Sequence, residues 1–314
     1  MKISIVSTLY RSAAYLEEFL SRVVSSTEKL TKDFEIILVN DGSPDDSLEL
    51  ALRLKEHLPN VRIIDLSRNF GHHLAIMTGL SYAEGELVYL VDCDLEEEPE
   101  LLLSFFKEMT ESKADVVYGY MESRKGGWFE RLSGSIFYMT LDLLTEYKFP
   151  RDVLVARLMS RRYVQSLTRH REREIFLGGL CFITGFKQIG IPVKKHSKGS
   201  TTYNLSRKIS MLANSIASFS DRPLKLIFYT GALISAVSAF SIVYLIFMRL
   251  LYSVSVQGWT SLLVSVWFLG GLSILFIGVI GIYLSKVFIE TKARPYTIVR
   301  EFYGFAAGTP FTKD

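Results

Sequence analysis

A chain of 314 residues has room for a full-sized soluble domain and more, and a mean hydropathy of +0.23 says that the extra part is apolar. The net charge of +3 conceals a partition: residues 1–150 sum to about −11, 151–222 to about +10 and the rest to about +4. Two cysteines, Cys93 and Cys181, exclude a metal-spaced cluster and a disulfide framework and suit a reducing compartment, and no nucleic-acid motif accompanies the basic stretch.

In chain order, residues 2–120 alternate strand and helix. Ile3 to Thr8 reads as a strand, Ala13 to Val24 as an amphipathic helix, Glu35 to Val39 as a buried strand, and Asp45 to His57 as a helix capped near Ser43. Val61 to Leu66, the helical stretch His73 to Ala83, the strand Leu87 to Val91, the helix Pro99 to Glu111 and the strand Asp115 to Tyr118 continue the pattern. Such alternation predicts an α/β fold, a mostly parallel sheet with helices on both faces, whose ligands collect at the carboxyl ends of strands.

Two segments beyond it carry helical apolar stripes: Trp128, Phe129, Leu132, Ile136, Phe137, Leu143 and Leu144, then Leu205, Ile209, Leu212, Ile216 and Phe219. Both predict amphipathic helices, packed on the globular domain or lying at a membrane interface. Leu226 to Met248 and Trp259 to Ser285 are charge-free and long enough to cross a bilayer. Arg222, Lys225, Lys286, Lys292 and Arg294 flank them, against Arg249 alone in the connecting loop, so the positive-inside tendency puts both termini in the cytoplasm and 249–258 outside. No cleavable signal peptide is visible, and Tyr296 to Val299 reads as a short strand in a polar tail.

Polar motifs fall where strands end: Thr8 to Tyr10, Asn40 to Ser43, Ser67 to Gly71 and Asp92 to Asp94. Asp92-Cys93-Asp94 at the exit of an apolar strand is a place to hold a divalent cation against a diphosphate. Such a spacing occurs roughly once by chance in a chain this long, so its position is what gives it weight. The alternatives are helix capping for the aspartate pair, turn chemistry with Gly42 for Asp41, and a surface ion pair for Arg157. The adjacent His72 and His73 would diverge on a helix, and neither reads as a metal ligand. The acidic part of the chain suits metal and nucleotide; the basic part suits anionic lipid head groups or a phosphorylated lipid, unless it is simply a solvated face.

With Val39-Asn40-Asp41-Gly42-Ser43, Leu66-Ser67-Arg68-Asn69-Phe70-Gly71, Asp92-Cys93-Asp94-Leu95, Pro150-Arg151-Asp152, Arg157-Leu158-Met159, Gly185-Phe186-Lys187-Gln188, Ser218-Phe219-Ser220, the paired apolar spans and Arg294-Pro295, the chain resembles the polyprenyl-phosphate glycosyltransferases of glycosyltransferase family 2 over nearly its whole length. These include dolichyl-phosphate mannose synthase and the bactoprenol glucosyltransferases. The resemblance implies a GT-A-type fold, a nucleotide sugar donor, a polyprenyl phosphate acceptor, Mg²⁺ or Mn²⁺, inversion at the anomeric carbon, and a homo-oligomer.

Carried onto matching positions, it assigns Thr8, Tyr10, Val39 and Asp41, with Asp92 and Cys93, to the nucleotide; Asp92, Asp94 and Glu96 to the metal; and Arg131 and Ser135 to the acceptor phosphate, with Lys198, or Lys195, standing in for the Lys that the family's Ser-Lys-Tyr supplies. Asp94 and Arg157 carry the catalytic roles. The chain departs from the family at Thr8 for Pro, Arg11-Ser12 for Asn-Glu, Glu96 for Gln, Met121 for Arg, Thr201-Thr202-Tyr203 for Ser-Lys-Tyr, and above all Val155-Ala156 for Asp-Phe, where a carboxylate is lost.

A phosphate acceptor tolerates that loss. A hydroxyl needs a general base, whereas a phosphate monoester, with a second pKa of about 6, is already anionic at neutral pH. The expected protein is thus a membrane-anchored hexosyltransferase of the cytoplasmic face. Residues 1–125 form its nucleotide-sugar core, 126–222 the acceptor side, 223–286 the spans and 287–314 a cytoplasmic tail. The competing readings are a hydroxyl acceptor on the same fold, and a non-catalytic nucleotide-binding scaffold.

Overall fold

The computed structural model describes residues 1–121, 152–173, 176–194, 220–252 and 258–306, with positions 139, 216, 308 and 309. The expected amphipathic helices within 128–144 and 205–219, and with them Arg131, Ser135 and Lys198, lie outside the described residues save for positions 139 and 216, which are helical.

The described residues form two compact units, one from 1–121, 152–194 and 294 onward, the other from 220–252 and 258–293. Strands β1 (Ile3–Leu9) and β2 (Phe34–Asn40) are buried along their whole length, as strands covered on both faces are, and the polar residues they carry, Ser4, Ser7, Thr8, Glu35 and Asn40, are buried with them. With β3 (Val61–Leu66) and β4 (Leu87–Leu90) they form the parallel block β4-β1-β2-β3.

Helix α1 (Leu16–Glu28) buries Leu16, Phe19, Leu20 and Val23, the one-face spacing that made it legible. Helices α2 (Ser47–His57), α3 (His72–Tyr82) and α4 (Leu101–Ser112) fill the other connections. At Gly79, α3 lies so close to the sheet that a Cβ would come within 2.6 Å of Val6 Cγ1 and 2.9 Å of Val39 Cγ2.

The sheet then extends by pairings of another kind. β5 (Val116–Tyr120) does not join β4 directly: β6 (Val153–Ser160) lies between them, antiparallel to both, and β7 (Gln188–Pro192) adds parallel to β5. At the opposite edge β8 (Val299–Tyr303), from the tail, runs antiparallel to β3. The order is β7-β5-β6-β4-β1-β2-β3-β8, and four of its seven pairings are parallel. The tail strand begins at Val299, where the expected one ends. Helices α5 (Arg161–Leu167) and α6 (Leu177–Ile183) follow β6; the Ser160 side chain caps α5 by accepting from Tyr163 N.

In the second unit α7 (Arg222–Tyr252) and α8 (Trp259–Thr291), of 31 and 33 residues, each run about 46–50 Å. Within them Arg222–Ser241 and Ser265–Thr291 have mean hydropathies of 1.5 and 2.2, long and apolar enough to cross a membrane, with no part of either buried in the protein. Tyr283 Oη donates to the Ser220 carbonyl at 2.8 Å.

Candidate active site

The four parallel strands end on one side of the sheet, and the loops leaving them enclose a cleft of about 380 Å³ lined by Thr8, Tyr10, Ser12, Asp41, Asn69, Gly71, His72, Asp92, Cys93 and Asp94. The loops after β1 and β2 are stitched together through Asp45. Its carboxylate accepts from the Ser43 and Ser47 hydroxyls, each at 2.5 Å, and from Ala13 N at 3.2 Å, while Ser43 and Ser47 take the amides of Arg11 and Ser12. Ser12 in turn accepts from Tyr10 N at 3.1 Å, so the departure from Asn-Glu at 11–12 supplies a local turn acceptor.

Asp41 holds the next loop. Its two oxygens accept the amides of Phe70 at 2.7 Å and Gly71 at 3.0 Å. Burial raises its pKa, against the pull of those amides and of His72 and Arg68. Gly42 beside it has φ +58°, and a Cβ there would stand 2.5 Å from Asn69 N. Only glycine lets the two loops touch.

Asp92, Cys93 and Asp94 follow β4. The Cys93 thiol donates to the Thr8 carbonyl at 3.1 Å, and burial pushes its pKa up to about 12, so it holds the two strand ends together as a neutral group. Asp94 Oδ1 accepts from Glu96 N at 2.9 Å, closing a turn in which Leu95 has φ +60°. His72, the first residue of α3, reaches in from the far side. Its Nδ1 lies 3.1 Å from Thr8 Oγ1 and its Nε2 3.5 Å from Asp92 Oδ1. Burial lowers its pKa, opposed by Asp41 and Asp94.

Of the residues expected at the site, Thr8, Tyr10, Asp41, Asp92, Cys93 and Asp94 meet in one cleft. Val39 is fully buried beneath α3, and Glu96 contributes its amide to the Asp94 turn without lining the cleft. Arg157 is 4% exposed on β6. Its guanidinium bends back onto the carbonyls of Leu154 and Val155, both at 3.0 Å, and does not line the cleft. A carboxylate does engage Val155-Ala156: Glu97, 58 residues from Val155 in sequence, accepts the amides of both residues, at 3.1 and 2.6 Å. His72 and Asn69 are cleft residues to which the sequence assigned no role at the site: Asn69 sits within the polar motif Ser67 to Gly71, and His72 opens α3 directly after Gly71.

The lining fits a cation shared with a phosphate ligand. Among the described residues the cleft is lined by three carboxylates and no Lys or Arg, and three carboxylates would repel an entering diphosphate without a counter-charge. Both oxygens of Asp41 accept amides, whereas Asp94 gives one oxygen to the Glu96 amide and Asp92 sets one 3.5 Å from His72 Nε2; among the described residues no group of three or more His, Cys, Asp or Glu is gathered for a metal. Two carboxylates suit Mg²⁺ or Mn²⁺ only if phosphate and water complete the shell.

Parallel strands with ligand loops at their carboxyl ends, flanked by antiparallel additions, make this a transferase fold of the GT-A type. The chain belongs to glycosyl transferase family 2, whose pattern matches residues 4–168. It is 48% identical over 304 residues, 97% of this chain and 89% of the relative, to a Mycobacterium tuberculosis (strain CDC 1551 / Oshkosh) protein described as "Putative glycosyltransferases". It is 30% identical over 303 residues, 96% of this chain and 99% of the relative, to the prophage bactoprenol glucosyl transferase homolog of Escherichia coli (strain K12). Among solved structures, glucosyl-3-phosphoglycerate synthase from Mycobacterium tuberculosis, in complex with Mn²⁺, uridine diphosphate and glucosyl-3-phosphoglycerate, aligns with 69% of this chain and 77% of its own at TM-score 0.48 and 19% identity.

Proposed function

We propose that the protein transfers a hexose-type sugar, with inversion, from a nucleoside diphosphate sugar to a polyprenyl phosphate at the cytoplasmic face of a membrane. The observation that carries this is the pairing, in one chain, of the Asp92/Asp94 cleft with two unburied apolar helices. The relative named a bactoprenol glucosyl transferase homolog, matched almost end to end, supports the lipid acceptor. In this reading Thr8, Tyr10, Ser12 and Asn69 bound the nucleotide, and Asp92 and Asp94 face its diphosphate. Mg²⁺ or Mn²⁺ on that aspartate pair would compensate the charge of the leaving diphosphate. The lipid phosphate arrives as an anion, so the protein's work is to align the two reactants and exclude water, and no side chain needs to take a proton from the attacking oxygen. Arg131, Ser135 and Lys198 remain the residues proposed for the acceptor phosphate.

Replacing Asp94→Asn should reduce metal-dependent glycosyl-lipid formation by at least about a hundredfold, read by mass spectrometry of the lipid after incubation with a donor panel with and without EDTA. Unchanged turnover would remove the metal assignment. For orientation, both termini are placed in the cytoplasm; a single cysteine introduced at Ser255 should react with an impermeant maleimide from outside intact cells, and labelling only after lysis would reverse it.

A second reading, transfer to a sugar or protein hydroxyl, draws on one observation: His72, whose pKa burial lowers, is an imidazole in the cleft able to accept a proton. A product resistant to the mild acid that cleaves glycosyl phosphates would favour it.

A further inference from the structure

The tail after α8 belongs to the same unit as the cleft, and Arg300 on β8 joins the two. One nitrogen of its guanidinium donates to the Ser67 carbonyl at 2.6 Å, and the other stands 3.4 Å from Asp65 Oδ2. Asp65 is 1% exposed, and a carboxylate so buried is tolerated only with partners. Its other oxygen accepts from Asn40 Nδ2 at 2.7 Å, which turns Asn40 Oδ1 toward the amide of Ser43 at 3.2 Å. Asn40 is itself buried at the end of β2, immediately before Asp41 and Gly42. One arm of the network therefore reaches the loop that carries Asp41.

The second arm reaches the loop after β3. The pairing of β3 with β8 shifts register between Asp65 and Leu66, and beyond the shift Ser67 N donates to the Ile298 carbonyl at 2.9 Å. Ser67 is thus held through both its amide and its carbonyl by the tail. Three and four residues on, Phe70 and Gly71 are held by Asp41. The loop 67–71 is a short bridge with the tail at one end and Asp41 at the other, and Asn69 and Gly71 on it line the cleft.

We infer that Arg300 is a positioning residue for the donor cleft, setting through Ser67 and Asp65 the two loops that present Asn69, Gly71 and Asp41. This role rests on the cleft being the donor site. An isolated exposed ion pair would contribute little. Arg300 differs because one of its partners is a buried carboxylate and the other a main-chain carbonyl at the root of a cleft loop.

The test uses full-length protein in detergent and the variants Arg300→Ala and Arg300→Lys. Amide hydrogen exchange in a peptide covering 67–71 should accelerate by about tenfold in Arg300→Ala and by less in Arg300→Lys, while a peptide covering β7 at the opposite edge keeps its wild-type rate. UDP affinity in the presence of Mn²⁺ should fall by a similar factor, and donor KM should rise with kcat little changed. Wild-type exchange at 67–71 in Arg300→Ala overturns the inference, as does faster exchange with unaltered UDP affinity. If Arg300→Ala does not fold, Arg300→Lys and Asp65→Asn carry the same comparison. Failure of the wild-type protein to bind UDP, GDP or dTDP would count against the donor reading itself; the exchange result, read without ligand, stands apart from it.

Discussion

At the scale of single residues the cleft depends on groups that have no chemistry of their own. Gly42→Ala combines a left-handed φ with a Cβ 2.5 Å from the Asn69 amide, so relief must come from moving the 67–71 loop. A loss of about 1–3 kcal/mol in stability and a weaker donor affinity are expected, measured by thermal unfolding and nucleotide titration. Cys93 makes the opposite prediction. With a pKa of about 12, roughly one thiol in a thousand is ionised at pH 9, and the side chain is 3% exposed. Iodoacetamide at pH 7.5 or 9 should leave it unmodified by mass spectrometry, and activity unaffected.

The aspartates were legible because carboxylates at the end of an apolar strand have few structural reasons to be there. Arg157 was not. A sequence shows a cation but not the carbonyls of Leu154 and Val155 that absorb it. Nor does adjacency tell which of His72 and His73 opens a helix beside a cleft.

At the scale of elements, β1 to β4 and the helices between them could be read because each is specified locally, α1 by its one-face apolar spacing and the strands and α3 by short apolar runs bounded by polar turns. Val61 to Leu66 coincides with β3 to the residue. β6 was invisible as a strand: its insertion between β4 and β5 is a long-range pairing, and its residues read as motif. Beside its ladders to β4 and β5, it is held by Glu97, 2% exposed, which clamps the amides of Val155 and Ala156. Glu97→Gln would set an amide N–H against one of those donors, leaving a buried group unsatisfied. A cost of about 2 kcal/mol is expected, or a Tm lower by roughly 4–8 °C, read by fluorescence in detergent. Because the clamp engages main chain only, side chains at 155 and 156 can change without disturbing the strand, which makes room for the lost acidic residue.

At the scale of the whole molecule, α7 and α8 present Phe240 and Trp267, each 77% exposed, and Ile274, 73% exposed. A continuous apolar surface of that length calls for a non-aqueous surround. The protein should stay in the membrane pellet after alkaline carbonate extraction and leave it only with detergent; release by carbonate would overturn the anchor. The return of the tail to the sheet edge was legible only as a short strand, since nothing local announces its partner β3.

That return sets an order of assembly. β8 leaves the ribosome after both long helices, so β3 waits with an unpaired edge and the 67–71 loop with one unsupported end while the apolar segments are being made. The chain therefore completes the bracing of its cleft only after both apolar helices have been synthesised, and a nascent chain not yet through the second helix would lack the Arg300 contacts that brace the loop.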